Sequence, residues 1–348
     1  MKFMHYFLIF VPISIVLFLL HANPLLIFII TCVAIVPLAA ILGDATENLA
    51  HYTGDKIGGM MNATMGNVPE LLIGLFAINA GLFDVVKATI IGSILGNLLL
   101  VLGASILIGG MKFKVQTFNK SIAKSNFVML SYAMIAMLMP GLLALLFKSS
   151  SNAISGVSNA VAILLLVVYL FGLFYALITH KNIFTSHEER EEEEQPEWSK
   201  TKSIVILAIA TVFVGYESEI LVDQIKFVIA DYHVPAVFIG IIIIPIVGNV
   251  AEHAAAMIMA YKNRMDIALE IGVGSATQIA LFVGPVLLLA SIIMGNAMDY
   301  VFPLFQLITI FVGFNFCRYV FHDGKTTWIE GLVMISTYVI MAVTYYFI

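Results

Sequence analysis

Charge is scarce in this chain: Lys, Arg, Asp and Glu make up 11% of its 348 residues, against 61% hydrophobic. A soluble domain carries about a quarter charged residues, so a water-soluble globule is excluded and a polytopic membrane protein is implied. Cysteine is scarcer still. Cys32 and Cys317 both lie in apolar runs without a partner motif, which excludes a disulfide framework and a thiolate metal site. No basic stripe or aromatic platform is present, so nucleic acid is not an expected partner. The alternating ten-residue segments of an outer-membrane barrel are missing as well, as are a nucleophile motif, HExxH and a phosphate loop.

What remains is long apolar runs. A helix needs about 20 apolar residues to cross the hydrocarbon, and cutting the chain at its polar breaks predicts eleven spans. They fall at roughly 3–20, 24–52, 57–81, 84–110, 124–147, 156–180, 202–230, 235–262, 266–293, 300–320 and 327–347. The first is read as a retained helix, since no small-residue cleavage site precedes the second. With this cutting, 14 of the 17 basic residues fall on the side of the N-terminus, and only Lys87, Lys148 and Lys226 on the other. By the positive-inside rule the N-terminus is cytoplasmic and the C-terminus outside, in a multi-pass cell-membrane protein whose constant partner is the lipid bilayer.

Within these oily segments a polar motif occurs twice, 182 residues apart: Gly66-Asn67-Val68-Pro69-Glu70 and Gly248-Asn249-Val250-Ala251-Glu252. Gly92-Ser93 and Gly274-Ser275 keep the same offset. A looser echo pairs Gly43 to Leu49 with Gly215 to Leu221. The glutamates sit in spans 3 and 8, and a shift of five spans inverts direction through the membrane. The expected plan is all-helical. A leading helix (1–22) precedes two inverted five-helix repeats (23–180 and 203–348), joined by an acidic cytoplasmic linker (181–202).

An intramembrane carboxylate is costly and marks an ion path. Asn67 and Glu70 are three residues apart, as are Asn249 and Glu252, so each pair is expected on one helical face. Pro69 is expected to interrupt its helix and free a backbone carbonyl near Met65. Ser93 and Asn97 on the following span, with Ser275, Thr277 and Gln278 in the second half, add oxygens. A hard dication such as calcium takes about six to eight oxygens, with carboxylates supplying the charge. A carboxyl group out of water favours a proton when it stands alone, and ionises when a dication lies beside it. Ion binding and protonation therefore exclude one another, which is antiport in its simplest form.

The segment GNVPELLIGLFAINAG resembles the first signature of the cation/proton exchanger family, and GNVAEHAAAMIMAYKNRMDIALEIGVGSATQIALFVGP resembles the second. The similarity runs over nearly the whole chain. That family belongs to the calcium/cation antiporter superfamily, and the resemblance implies a secondary transporter, not an enzyme, without a cofactor, that carries Ca²⁺ out of the cytoplasm in exchange for H⁺. It further implies Glu70 and Glu252 as central ligands and proton carriers, Asn67 and Asn249 beside them, and Ser93, Ser275 and Gln278 lining the site. The sodium-coupled branch of the superfamily is the alternative. Asn at both motif positions, and Gln278 in place of a carboxylate, favour proton coupling. An intramembrane carboxylate enzyme or a cation channel is more remote, because neither needs an inverted pair of acids.

Further candidates are weaker. His253, about 100° around the helix from Glu252, is a proton relay or a packed histidine. The resemblance implies that Asp44, Glu47, Glu217, Glu219 and Asp223 line an access path or gate; read from the residues alone they form a solvated vestibule, and Glu270 belongs with them. The run of Glu188, Glu189, Glu191, Glu192, Glu193 and Glu194 lacks the turn glycine and alternating carboxylates of an EF-hand, and is a solvated linker or a calcium-regulatory segment. Self-association into a homo-oligomer is compatible with all of this.

Overall fold

The structure, a computed structural model, describes residues 2–147, 150–179 and 196–348. The acidic run from Glu188 to Glu194 and the core of the expected linker lie outside the described residues. Among the described residues a 3₁₀ stretch, Lys2–Ile9, is followed in chain order by α1 (Phe10–Leu19), α2 (Pro24–Met65), α3 (Val68–Asn79), α4 (Phe83–Phe113), β1 (Val115–Thr117), α5 (Lys120–Phe147), α6 (Ser151–Thr179), α7 (Lys200–Tyr232), α8 (Ala236–Gly248), α9 (Val250–Tyr261), α10 (Met265–Ile293), α11 (Leu304–Val320), β2 (Lys325–Thr327) and α12 (Trp328–Tyr346). Among the described residues seven helices are long and apolar enough to span a membrane. The bent pair α8 and α9 adds an eighth, and α3, α11 and Tyr6–Leu19 are shorter apolar helices.

The helical plan holds, with one short addition: β1 and β2 pair antiparallel, with Gln116 opposite Thr326. One helix end differs from expectation: the apolar span closes at Thr53, but the polar stretch at 53–56 does not end the helix. That stretch contains no proline, so α2 runs on to Met65, 42 residues in all, and stops just before the motif. Pro69 cannot donate to the carbonyl four residues back, so the helix has to restart there, and Pro69 occupies the first turn of α3, where a missing N–H costs nothing. A break stands where an interrupted helix interior was expected.

The chain forms two compact units, 1–76 with 170–233 and 77–169 with 234–348, so each unit draws on both sequence halves. In the first, α2 packs along α7. Val11 of α1, Ala34, Leu38 and Leu42 of α2, and Ala210 and Val214 of α7 form its buried cluster, with Met65, Val68 and Leu72 against it.

In the second unit α4 is central and mostly buried, packed by α8, α10, α11 and α12. Gly92 and Gly96 of α4 form a small-xxx-small step facing α8. A Cβ at Gly92 would run into the backbone of Ile241, and one at Gly240 into Ala88. Only hydrogen fits at these two positions, and backbones this close supply the packing that lipid-embedded helices lack otherwise.

Candidate functional site

Both motif helices begin in the same way. Asn67 precedes α3 and Asn249 precedes α9, and in each helix Glu is the third residue of a 12-residue segment. The first backbone bonds also match, Leu71 N to Asn67 O at 3.0 Å and His253 N to Asn249 O at 2.9 Å. The unsatisfied N–H groups of a first helical turn carry partial positive charge, which favours a carboxylate there. The position thus offsets part of what an apolar setting charges for a negative group. In the second half the break is a bend of 62° between α8 and α9.

In the first unit Asn67 and Glu70 are both buried, at 0% and 1% exposure. Glu217 of α7 is buried as well, at 0%, and accepts a 2.6 Å hydrogen bond from the Ser14 hydroxyl of α1, while its Oε2 has no partner. Glu217 therefore does not stand in a solvated vestibule. It lies one helical turn beyond Val214, on the face of α7 that packs into the buried cluster. Of the other proposed path residues Asp44 and Asp223 are half-buried, and Glu47 and Glu219 are exposed. Ser14 had no sequence signal beyond being a hydroxyl in an apolar helix.

In the second unit the expected residues form a connected group. Asn97 Nδ2 of α4 donates to Ser275 Oγ of α10 at 2.9 Å, and the Ser275 hydroxyl neighbours the Glu252 carboxylate. Glu252 Oε2, Asn97 Oδ1, Ser93 Oγ and Asn249 Oδ1 are buried oxygens without a hydrogen-bond partner. Asn249 turns its amide N–H back to Pro245 O at 3.0 Å, which leaves Oδ1 unspent. Buried acceptors are normally paired, so one carboxylate oxygen and three neutral oxygens without a partner among these residues are acceptors to which a cation could bind. Gln278 is half-buried. Thr277 gives its hydroxyl hydrogen to Val273 O of its own helix at 2.7 Å. His253 is half-buried, and Glu270 is exposed on α10.

Sequence reasoning missed a second repeated feature. α4 and α10 each contain a π-helical stretch, Gly96–Val101 and Ile279–Val283, and α8 has one at Ile239–Ile243. The first holds Asn97 and the second starts directly after Gln278. A π-turn shifts the register of the backbone bonds and re-aims the side chains beside it. Apolar residues dominate these stretches, so composition carries no signal for them.

Fold and site together define a multi-pass helical membrane protein with a carboxylate at the start of a broken helix in each half. The chain belongs to the sodium/calcium exchanger protein family, whose model matches residues 23–178 and again 202–347. Among curated relatives it is 41% identical to the Ca(2+)/H(+) antiporter ChaA of Bacillus subtilis, over 97% of this chain and 96% of that protein. It is 38% identical to the Ca(2+)/H(+) antiporter of Aphanothece halophytica, over 98% and 95%. Among solved structures, native YfkE matches with a TM-score of 0.86 at 36% identity, over 98% of this chain and all of that one.

Proposed function

We propose that this protein exchanges Ca²⁺ for H⁺ across the cell membrane by alternating access, with Glu70 and Glu252 as the groups for which the two ions compete. The observation that carries the reading is the matched placement of the two glutamates, each third in its helix after an Asn break, 182 residues apart. Two carboxylates neutralise one dication. Asn67, Asn249, Asn97, Ser93, Ser275 and Gln278 supply the neutral oxygens that calcium needs in addition. Ser275 steadies Glu252, and Asn97 steadies Ser275. With two inverted five-helix repeats after a leading helix, the N-terminus is cytoplasmic and the C-terminus outside. An inward proton gradient then drives calcium out of the cytoplasm.

Proton rather than sodium coupling is favoured by the printed activities of the two relatives above, and by amides at both motif Asn positions. The test is Ca²⁺ flux in proteoliposomes with an imposed pH gradient and no sodium. Flux that follows the gradient and collapses with a protonophore is expected. Flux that needs sodium and ignores pH would move the protein to the sodium-coupled branch.

A further inference from the structure

The helix that bears Glu252 is gripped at its far end by two side chains from α4 and β1, and we propose that Gln116 and Lys112 are positioning residues for the exchange. The inference rests on the reading that Glu252 carries the exchanged ions. α9 ends in a Schellman turn: Arg264 N reaches Met259 O at 2.9 Å, Asn263 N reaches Ala260 O at 3.0 Å, and Asn263 takes the left-handed conformation, φ 65°. Gln116, buried at 1%, points its amide into that turn. Its Nε2 donates to Ala260 O at 2.8 Å and to Asn263 Oδ1 at 3.1 Å. Lys112 donates to Tyr261 O at 3.2 Å and lies 3.8 Å from the centroid of the Tyr261 ring. A cation at the carbonyl end of a helix is favoured by the helix dipole, and over a ring face by its quadrupole.

The grip is anchored on its other side. Gln116 pairs across the sheet with Thr326, and β2 leads into α12, whose start is closed by a capping box between Thr327 and Glu330. Gly109 makes room for the arrangement, since a Cβ there would strike the Gln116 side chain and stand 2.9 Å from Ala260 O.

A feature of the first half argues that the grip serves the site rather than one helix end. α3 closes with the same turn, Leu82 N to Ala77 O at 2.8 Å and Gly81 N to Ile78 O at 3.0 Å, with Gly81 at φ 74°. Ile78 stands 182 residues before Ala260. Its carbonyl too is met by an amide that follows the long helix of the other half, Asn296 Nδ2 after α10, at 3.4 Å, as Gln116 follows α4. Two helices of one length, each with a glutamate at one end and an amide on the same carbonyl at the other, are thereby held along their axes. A 12-residue helix is a rod roughly 18 Å long, and calcium tolerates only about 0.3 Å of spread in its oxygen distances. A slip of α9 at the Gln116 end is therefore felt by the ion at the Glu252 end.

The experiment is Ca²⁺ transport by the full chain in proteoliposomes, with the half-saturating Ca²⁺ concentration (K0.5) and maximal rate measured for wild type, Gln116→Ala, Lys112→Met, Lys112→Arg and Glu252→Gln. A lost hydrogen bond to a helix end is worth about a fivefold change in an equilibrium. K0.5 is therefore expected to rise roughly fivefold to tenfold in Gln116→Ala and roughly threefold to fivefold in Lys112→Met, with maximal rate nearly kept, and to return to within about twofold of wild type in Lys112→Arg. A purely structural role would lower the amount of folded protein and the maximal rate, but leave K0.5 alone. Should Gln116→Ala fail to fold, the exposed Lys112 pair decides. Unchanged K0.5 in folded Lys112→Met overturns the positioning role while an inactive Glu252→Gln leaves the site standing. An active Glu252→Gln overturns both.

Discussion

Glu252→Gln and Glu70→Gln are each expected to reduce Ca²⁺ exchange by at least ~100-fold while the protein still folds. A unit charge pair at 4 Å is worth about 4 kcal/mol at an effective dielectric of 20, and a dication doubles the figure, so removing one of two carboxylates outweighs any relief from burying less charge. Glutamine keeps the shape of glutamate, so packing around Asn97 and Ser275 is preserved. The measurement is flux in proteoliposomes together with thermal unfolding. Both variants should unfold near the wild-type temperature without calcium, and lose the calcium-dependent rise that a ligand bound to the native state produces. Wild-type flux in either variant would remove that residue from the site.

The second large effect is a pH dependence. If protons and Ca²⁺ exclude one another on the same carboxyl groups, acidification must weaken apparent calcium affinity. The sign follows from linkage: the protonated form does not bind, so K0.5 rises as pH falls through the range where the acids take up protons. For one competing proton the slope approaches about tenfold per pH unit, and for two coupled acids it exceeds that. Equilibrium Ca²⁺ binding by the purified protein between pH 8 and 5 measures it. A flat K0.5 would mean that proton and calcium sites are separate.

Much of this molecule could be read from residue order, for reasons that particular residues make plain. Charge scarcity and apolar run lengths are enough for a helical membrane protein, because lipid leaves a backbone few other choices. The repeated Asn and Glu stood out because a carboxylate in an apolar helix has to be explained. Helix ends were harder. The stretch around Thr53 to Lys56 is polar, yet nothing in it stops a helix, whereas Gly66-Asn67 before Pro69 does. The small sheet carries no sequence signal, because Val115–Thr117 and Lys325–Thr327 are three residues each and Gln116 pairs with Thr326, 210 positions away. Glu217 reads as solvated from sequence alone, because only a tertiary contact, the hydroxyl of Ser14, reveals that it faces a buried cluster. The Gln116 grip likewise depends on a turn geometry at Asn263 that no local pattern announces.

The most direct test is the proton count on calcium binding: Ca²⁺ is added to the purified protein in weakly buffered solution at several pH values, and released H⁺ is measured alongside bound Ca²⁺. Protons should be released with each bound ion, and the yield should fall in Glu70→Gln and in Glu252→Gln. Calcium binding without proton release, or a release unchanged in both variants, would contradict the account.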